Sequence, residues 1–315
     1  MTRMAESATS EESLGGVRCL VTGAAGFIGG ALSLRLNALG ADLHRLARKV
    51  PDADAIGRWH RCDVADVGQV RREFKTIRPE VVFHLAGRVS GSRDMDLVLP
   101  TLTDNLLSTV NVLLEAAAAG CSRIVCLGSL QEPDESAFPT PNSPYAASKL
   151  AASSYVRMFA ELYAAPAVVA RPYMVYGPGQ LDFTKLVPCV VSGLLNGQAV
   201  ELSSGLQAFD WVYIDDVVSA LICLARAPAV RGLTVGIGTG RLTAVRDVAL
   251  AIADRIGSRA GLRLGAIEDR RLEQTRCADV EETAQRIGWR AAVSLHEGLD
   301  RTIEWYRDYF RAREV

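Results

Sequence analysis

Apolar and polar positions alternate in two rhythms along the first half of the chain. Short apolar, β-rich runs predict strands: RCLVTG (Arg18 to Gly23), LHRLA (Leu43 to Ala47), WHRCD (Trp59 to Asp63), VVFHLA (Val81 to Ala86), RIVCLG (Arg123 to Gly128) and AVVARP (Ala167 to Pro172). Between them, Phe27 to Leu39, Val67 to Ile77, Thr103 to Ala119 and Tyr145 to Tyr163 carry the apolar periodicity of a helix face. Strands alternating with helices argue for a parallel sheet covered on both sides. Beyond Met174 the rhythm loosens into a Gly/Pro turn (YGPGQ), short strands and helices, among them Asp215 to Ala227 and Leu295 to Arg311.

Composition narrows the class. The chain has 315 residues, of which 49% are hydrophobic, with a formal net charge of −1, so nothing in its charge calls for nucleic acid or an anionic membrane as partner. Its seven cysteines are scattered, odd in number and free of CxxC spacing, which reads as reduced thiols in a cytoplasmic protein. The polar, acidic start, MTRMAESATSEESLGG, lacks the apolar run of a signal peptide or membrane span and reads as a disordered lead-in. No His, Cys, Asp and Glu constellation has metal-ligand spacing.

The first strand runs into TGAAGFIGG, with Gly23, Gly26 and Gly29 spaced as GxxGxxG. Glycines there allow a tight turn, let backbone N–H groups approach a pyrophosphate and let the next helix pack close to the strand. The expected fold is therefore α/β, a doubly wound Rossmann-type parallel sheet, with a smaller C-terminal α/β lobe at its carboxyl edge. The expected boundaries are the lead-in over 1–16, the dinucleotide-binding domain over 17–173, and 174–315 as mostly a substrate-binding lobe with some segments returning to the sheet.

The second strand ends at Ala47, followed by Arg48 and Lys49, where a ribose-binding carboxylate would normally stand; Asp42 lies at the strand's other end. Two cations in that place favour an adenosine 2′-phosphate, hence NADP(H), with NAD(H) as the alternative; a solvated charge pair is the plainer explanation. Asp63 ends a strand where it can accept from the adenine amine. His84, alone among apolar neighbours, reads as packing.

With TGAAGFIG, HLAG, YAASK, YGPGQ and DWVYIDD in this order, the chain resembles the extended short-chain dehydrogenase/reductase family, whose members epimerise, dehydrate or reduce nucleotide-activated sugars. The resemblance spans nearly everything from Val17 to Arg311. It implies a proton relay of Ser129, Tyr145 and Lys149, with tyrosine as acid or base and lysine one helical turn on supplying the charge that lowers its pKa. Besides Gly23, Gly26, Arg48, Lys49, Asp63, Tyr145 and Lys149, it implies cofactor contacts from Ala25, Phe27, Ile28, Val64, Leu85, Ala86, Gly87 and Tyr173. Substrate contacts are implied at Ser90, Gln131, Met174, Lys185, Leu186 and Phe209. Helices over Thr103 to Ala119 and Tyr145 to Tyr163 are more apolar than one buried stripe needs, and in the family they pair as a four-helix bundle, which implies a homodimer.

Departures from the family pattern bear on the reaction. Gly128 precedes Ser129 where a second hydroxyl is usual, and Leu130-Gln131-Glu132-Pro133 replaces both the dehydratase acid pair and the following Val-Tyr-Gly run. Met174 stands in place of a polar amide and Phe209 in place of a diphosphate-clamping arginine; Arg270 and Arg271 in EDRRLEQTR are the expected substitutes, or else a solvated face. These features favour an NADP(H)-dependent reductase of a nucleotide-linked 4-keto-6-deoxyhexose. A nucleotide-sugar 4-epimerase with bound NAD is the alternative, and a ketoreductase of a non-nucleotide substrate a further one.

Overall fold

The structure is a computed structural model and describes residues 14–51, 56–133, 140–258, 261–269 and 274–313. The chain separates into two compact units. The first runs to Arg171 and takes in Val218–Val235 and Gln285–Trp289; the second comprises Pro172–Val217, Gly236–Ala284 and the chain from Arg290.

Six strands of the first unit follow the predicted runs: β1 (Arg18–Thr22), β2 (Asp42–Ala47), β3 (Arg58–Arg61), β4 (Val81–His84), β5 (Arg123–Leu127) and β6 (Ala167–Pro172). With β10 (Thr234–Ile237) they form a seven-stranded sheet in the order β10-β6-β5-β4-β1-β2-β3. The registered pairs β1 with β2, β1 with β4, β2 with β3, β4 with β5 and β5 with β6 are all parallel. Chain order reverses between β1 and β4, which opens a crevice at their carboxyl ends, the place where ligands of such sheets bind.

Helices α1 (Phe27–Ala38), α2 (Val67–Ile77), α4 (Ser108–Ala118) and α5 (Pro144–Leu162) cover the sheet. Local signals set their starts. Asp66 caps α2 by accepting from the Gln69 amide at 3.1 Å; Ser143 caps α5 by accepting from Ala146 N–H at 3.2 Å, with Pro144 at the first position, where its missing N–H costs nothing. One core cluster joins Leu20, Val82 and Ile124 of the strands to Phe74 of α2, Val112 and Leu113 of α4 and Phe159 of α5. Each such side chain contributes about 1.5–3 kcal/mol by leaving water. Cys19, Cys62, Cys121 and Cys126 are buried here as free thiols.

The helix ahead of α4 is irregular. After a 3₁₀ turn and α3 (Val98–Thr101), residues Leu102–Leu107 form a π-helical segment that runs directly into α4. Met95–Ala118 as a whole is apolar enough and long enough, at 24 residues, to cross a membrane by length and composition. Here α4 packs against α2, α5 and the sheet, as a core helix does.

In the second unit, β7 (Met174–Tyr176), β9 (Ala208–Tyr213) and β11 (Leu242–Ala244) form a three-stranded sheet in the order β11-β9-β7. A further pair joins β8 (Val200–Glu201) to β12 (Leu262–Arg263). Helices α6 (Leu186–Leu195), α8 (Val245–Ile256) and α10 (Leu295–Arg311) pack on one another; in the chain, α7 (Ile214–Arg226) follows β9 and α9 (Val280–Ile287) precedes α10. Two carboxylates of DWVYIDD hold this unit's loops. Asp210, fully buried, accepts from Thr239 N–H, Thr239 Oγ1, Gly240 N–H and Ala278 N–H at 2.6–3.0 Å. Asp216 accepts from the amides of Ala292 and Val293.

Candidate active site

The glycine turn leaves β1 at Gly23, whose φ of +67° is left-handed. A Cβ there would lie 2.6 Å from Ala86 N, and one on Gly29 would overlap the Gly23 carbonyl, so glycine is required at both for the turn and α1 to close on each other. Gly26 is the N-cap of α1 and offers no side chain to the first-turn amides, and Ala25 and Gly26 are exposed. Exposed amides at a helix start, beside a turn that excludes side chains, fit a pyrophosphate. Phe27 and Ile28, half-buried, begin the helix.

His84 ties this turn to the next loop. Its Nδ1 faces Thr22 Oγ1 at 2.9 Å and its Nε2 faces Thr109 Oγ1 at 3.1 Å. Thr22 Oγ1 already accepts from the amides of Leu85 and Ala86, while Thr109 Oγ1 donates to the Asn105 carbonyl. Thr22 therefore donates to Nδ1 and the ring carries its proton on Nε2. Burial, with Lys149 nearby, lowers the imidazole to about 3. His84 is a structural neutral histidine that fixes Leu85, Ala86 and, beyond them, Gly87 at the mouth of the crevice.

Tyr145 stands in the first turn of α5 because Ser143 and Pro144 start the helix there, and Lys149 follows one turn later on the same face. Ser129 lies just beyond the end of β5. Tyr145, Lys149 and Ser129 are 6%, 5% and 7% exposed, a nearly dry cluster. The Tyr145 hydroxyl shares a hydrogen bond with Ser129, and Lys149 Nζ donates to the Leu127 carbonyl at 2.8 Å. Burial pushes Tyr145 up to about 12, opposed by the Ser129 hydrogen bond and reinforced by the negative charge of Glu132. Burial lowers Lys149, with Glu132 acting the other way. Tyr145 is thus a protonated phenol at neutral pH, rather than one already lowered by its lysine.

Asn105, Ser148 and Arg171, which motif reading did not single out, complete the cluster together with Gly87 and Glu132. Asn105, buried in the π segment, accepts from Arg88 N–H at 2.7 Å and donates to the Arg88 carbonyl and to Ser148 Oγ. Ser148 in turn donates to the Tyr145 carbonyl at 2.8 Å. A Cβ on Gly87 would fall 2.7 Å from Asn105 Oδ1 and 3.6 Å from Lys149 Nζ, so Gly87 lies directly against the lysine. Glu132 and Arg171 form a 2.7 Å ion pair in which the carboxylate is 0% exposed. The one available signal was a charged residue inside an apolar segment, and it does not name a partner.

The other expected contacts are distributed as follows. Arg48 and Lys49 are exposed at the end of β2; Arg48 lies 3.6 Å from Asp104, whose other oxygen holds Arg88 at 2.9 Å. Asp63 turns the chain by accepting from Ala65 N–H at 3.0 Å, and the Val64 carbonyl accepts from Asn111. Ser90 Oγ accepts from Ser92 N–H, and the Gln131 amide donates to Ser129 Oγ at 3.2 Å. Tyr173, Met174, Lys185, Leu186 and Phe209 belong to the second unit. There the Tyr173 hydroxyl donates to the Cys277 carbonyl, Met174 pairs with Trp211, and Lys185 caps the helix that Leu186 begins, 3.7 Å from Asp182. Phe209 is 8% exposed, edge-on to Trp211. Arg270 and Arg271 lie outside the described residues.

Comparison with known proteins agrees with this arrangement. The family model of the NAD dependent epimerase/dehydratase family matches residues 19–238. The UDP-glucose 4-epimerase of Mycolicibacterium smegmatis is 33% identical over 320 residues, covering 93% of this chain and 99% of that protein. Among solved structures, the UDP-glucose 4-epimerase of Thermotoga maritima with UDP-glucose has a TM-score of 0.85 at 26% identity, covering 93% of this chain and 99% of that one. A double mutant of the dTDP-glucose 4,6-dehydratase DesIV of Streptomyces venezuelae, with NAD bound, has a TM-score of 0.83 at 29% identity, covering 93% and 97%.

Proposed function

Because this chain belongs to the NAD-dependent epimerase/dehydratase family of extended short-chain dehydrogenase/reductase enzymes, we propose that it is a nucleotide-sugar 4-epimerase acting on a UDP-hexose with retained NAD. The observation that separates this reading from a dehydratase is the disposition of Glu132. Both of its oxygens are engaged inside the protein, by Arg171 and by the Ser129 amide. Residues 130–133 therefore offer no free carboxylate to expel a hydroxyl beside the ketone, which dehydration needs. Between epimerase and reductase, the full-length similarity to a UDP-glucose 4-epimerase supports the former.

In this reading the exposed Ala25–Gly26 turn, whose Gly26 N–H is held by the Gly23 carbonyl, brings the Ala25 amide and the first-turn amides of α1 to the pyrophosphate, and Leu85 to Gly87 flank the dinucleotide. When bound, NAD supplies the hydride acceptor that later serves as donor. Ser129 hydrogen-bonds the sugar oxygen, and Tyr145 removes its proton as the carbon is oxidised. After the ketone has presented its opposite face, Tyr145 returns the proton. Lys149 keeps a positive charge beside the phenol and lowers the cost of the phenolate.

NAD rather than NADP is proposed on two grounds. Asp104 already occupies Arg48 and Arg88, and its carboxylate would repel a phosphate set between them. A structurally similar dehydratase has NAD bound. A second reading, the NADPH-dependent 4-keto-6-deoxyhexose reductase, is favoured by the exposed Lys49 beside Arg48. The test is to follow UDP-glucose by NMR with purified enzyme and catalytic NAD. Accumulation of UDP-galactose without net change in the nicotinamide supports the epimerase. Stoichiometric NADPH consumption on a nucleotide-linked 4-keto-6-deoxyhexose, without interconversion, supports the reductase.

A second copy of the chain is also proposed to cover the apolar surface of the Met95–Ala118 helix and α5, as the family resemblance implies.

A further inference from the structure

The turn after β5 departs from the family pattern at Gly128 and Glu132, and the two departures are one feature. A Cβ on residue 128 would lie 2.6 Å from Glu132 Oε1 and 2.7 Å from Val169 Cγ1. The space that a second hydroxyl residue would fill is taken by the Glu132 carboxylate. That carboxylate bridges two elements: Oε1 accepts from the Ser129 backbone N–H at 2.7 Å, and Oε2 accepts from Arg171 on β6 at 2.7 Å.

Ser129 is consequently held at three points. Its amide is bound by the Glu132 side chain, its carbonyl accepts from Glu132 N–H at 3.1 Å, and its Oγ accepts from Gln131 N–H at 3.2 Å. Held in this way, the Ser129 hydroxyl shares a hydrogen bond with Tyr145. A buried carboxylate is retained only when paired and hydrogen-bonded, and here each oxygen has its own donor.

We propose that Glu132, anchored by Arg171, is a positioning residue that fixes the Ser129 hydroxyl opposite Tyr145, and that Gly128 is glycine in order to admit it. The inference rests on the assignment of Tyr145 as the proton carrier. Among the described residues, the charged and titratable groups that act on the phenol and its lysine are Glu132 on the turn, itself paired with Arg171 on β6, Cys126 on β5 and His84 on β4. Of these, Glu132 raises both Tyr145 and Lys149. Its charge as well as its hydrogen bond therefore reaches the reaction.

The experiment compares wild-type holoenzyme with Glu132→Ala, Glu132→Gln and Gly128→Ala. Glu132→Ala and Gly128→Ala are expected to lose about ten- to a hundredfold in kcat with KM and NAD affinity unchanged, the size of one lost charge-assisted hydrogen bond. Glu132→Gln keeps an oxygen for the Ser129 amide and is expected to recover most of kcat, with the acid limb of its pH–rate profile displaced to lower pH. An unchanged kcat in Glu132→Ala accompanied only by a lower melting temperature would overturn the proposal, as would a Glu132→Gln profile superimposable on wild type. The Gln variant decides alone if the Ala variant does not fold. Absence of turnover in the wild type defeats the epimerase reading and leaves this inference to a second readout. That readout is ultraviolet titration of the Tyr145 phenol, taken as the difference from Tyr145→Phe: a lower midpoint in Glu132→Gln supports the proposal and an unmoved midpoint defeats it.

Discussion

At the scale of single residues, the chemistry is set by burial working against charge. Tyr145 and Lys149 are both pushed by burial toward their neutral forms, so the proton that Tyr145 is proposed to exchange with a sugar oxygen is poised by its neighbours rather than by water. Tyr145→Phe keeps the ring and removes the proton carrier; turnover is expected to fall by about 10²- to 10⁴-fold with NAD affinity unchanged in a fluorescence titration. Because Tyr145 is raised, the base form is scarce at neutral pH, so kcat/KM for alcohol oxidation is expected to rise with pH until Lys149, which is lowered, loses its charge. His84 makes a stability prediction of definite sign. Its folded pKa, about 3, lies below the ordinary 6.5, so the unfolded chain binds the extra proton across that interval. Stability is full above the higher value and falls by about 1.4 kcal/mol per pH unit as pH drops through the window. His84→Gln should flatten that slope in denaturant titrations at successive pH values; an unchanged slope would show that other groups carry the acid sensitivity.

At the scale of elements, the glycine turn and α1 act as one part. A methyl group on Gly29 would collide with the Gly23 carbonyl, so Gly29→Ala is expected to separate α1 from the turn and abolish NAD binding while the remaining sheet still folds. Isothermal titration with NAD checks this, circular dichroism serving as the control for folding. The same measurement on wild type with NADP tests the cofactor assignment, where tighter binding of NADP would restore the expectation drawn from Arg48 and Lys49. Elements of this kind were legible in the sequence because their signals are local. Strands β1 to β6 and helices α2 and α5 fall within two residues of the apolar runs at each end, and the cap at Ser143-Pro144 places Tyr145 and Lys149. What periodicity could not show is tertiary. The π segment at Leu102–Leu107 has the same apolar spacing as an α-helix, yet it is what carries Asn105 to Arg88 and Ser148. Glu132 was visible as a misplaced acid, but its partner stands 39 positions away on another strand. Arg48 reads from sequence as a phosphate-binding or solvated cation because Asp104, which faces it, is remote in sequence.

For the molecule as a whole, the first unit presents an apolar stripe that stands exposed among the described residues. Leu107 and Leu114 on one helix and Tyr155 and Leu162 on α5 are spaced seven residues apart and are 42%, 47%, 40% and 69% exposed. Leu99, at 72%, extends the stripe. Burying each leucine against a second copy would stabilise a dimer by up to about 1.5–3 kcal/mol. Sedimentation of the wild type is expected to give twice the chain mass, and Leu107→Glu with Leu114→Glu to give a monomer; a monomeric wild type would contradict the pairing. The central claim is that a hydride leaves and returns to the same sugar carbon within one turnover, and its direct test is UDP-glucose carrying deuterium at carbon 4. The account predicts UDP-galactose that retains the label at carbon 4 with none in free nicotinamide. Label released into the nicotinamide pool, or moved to another carbon with loss of water, would contradict it.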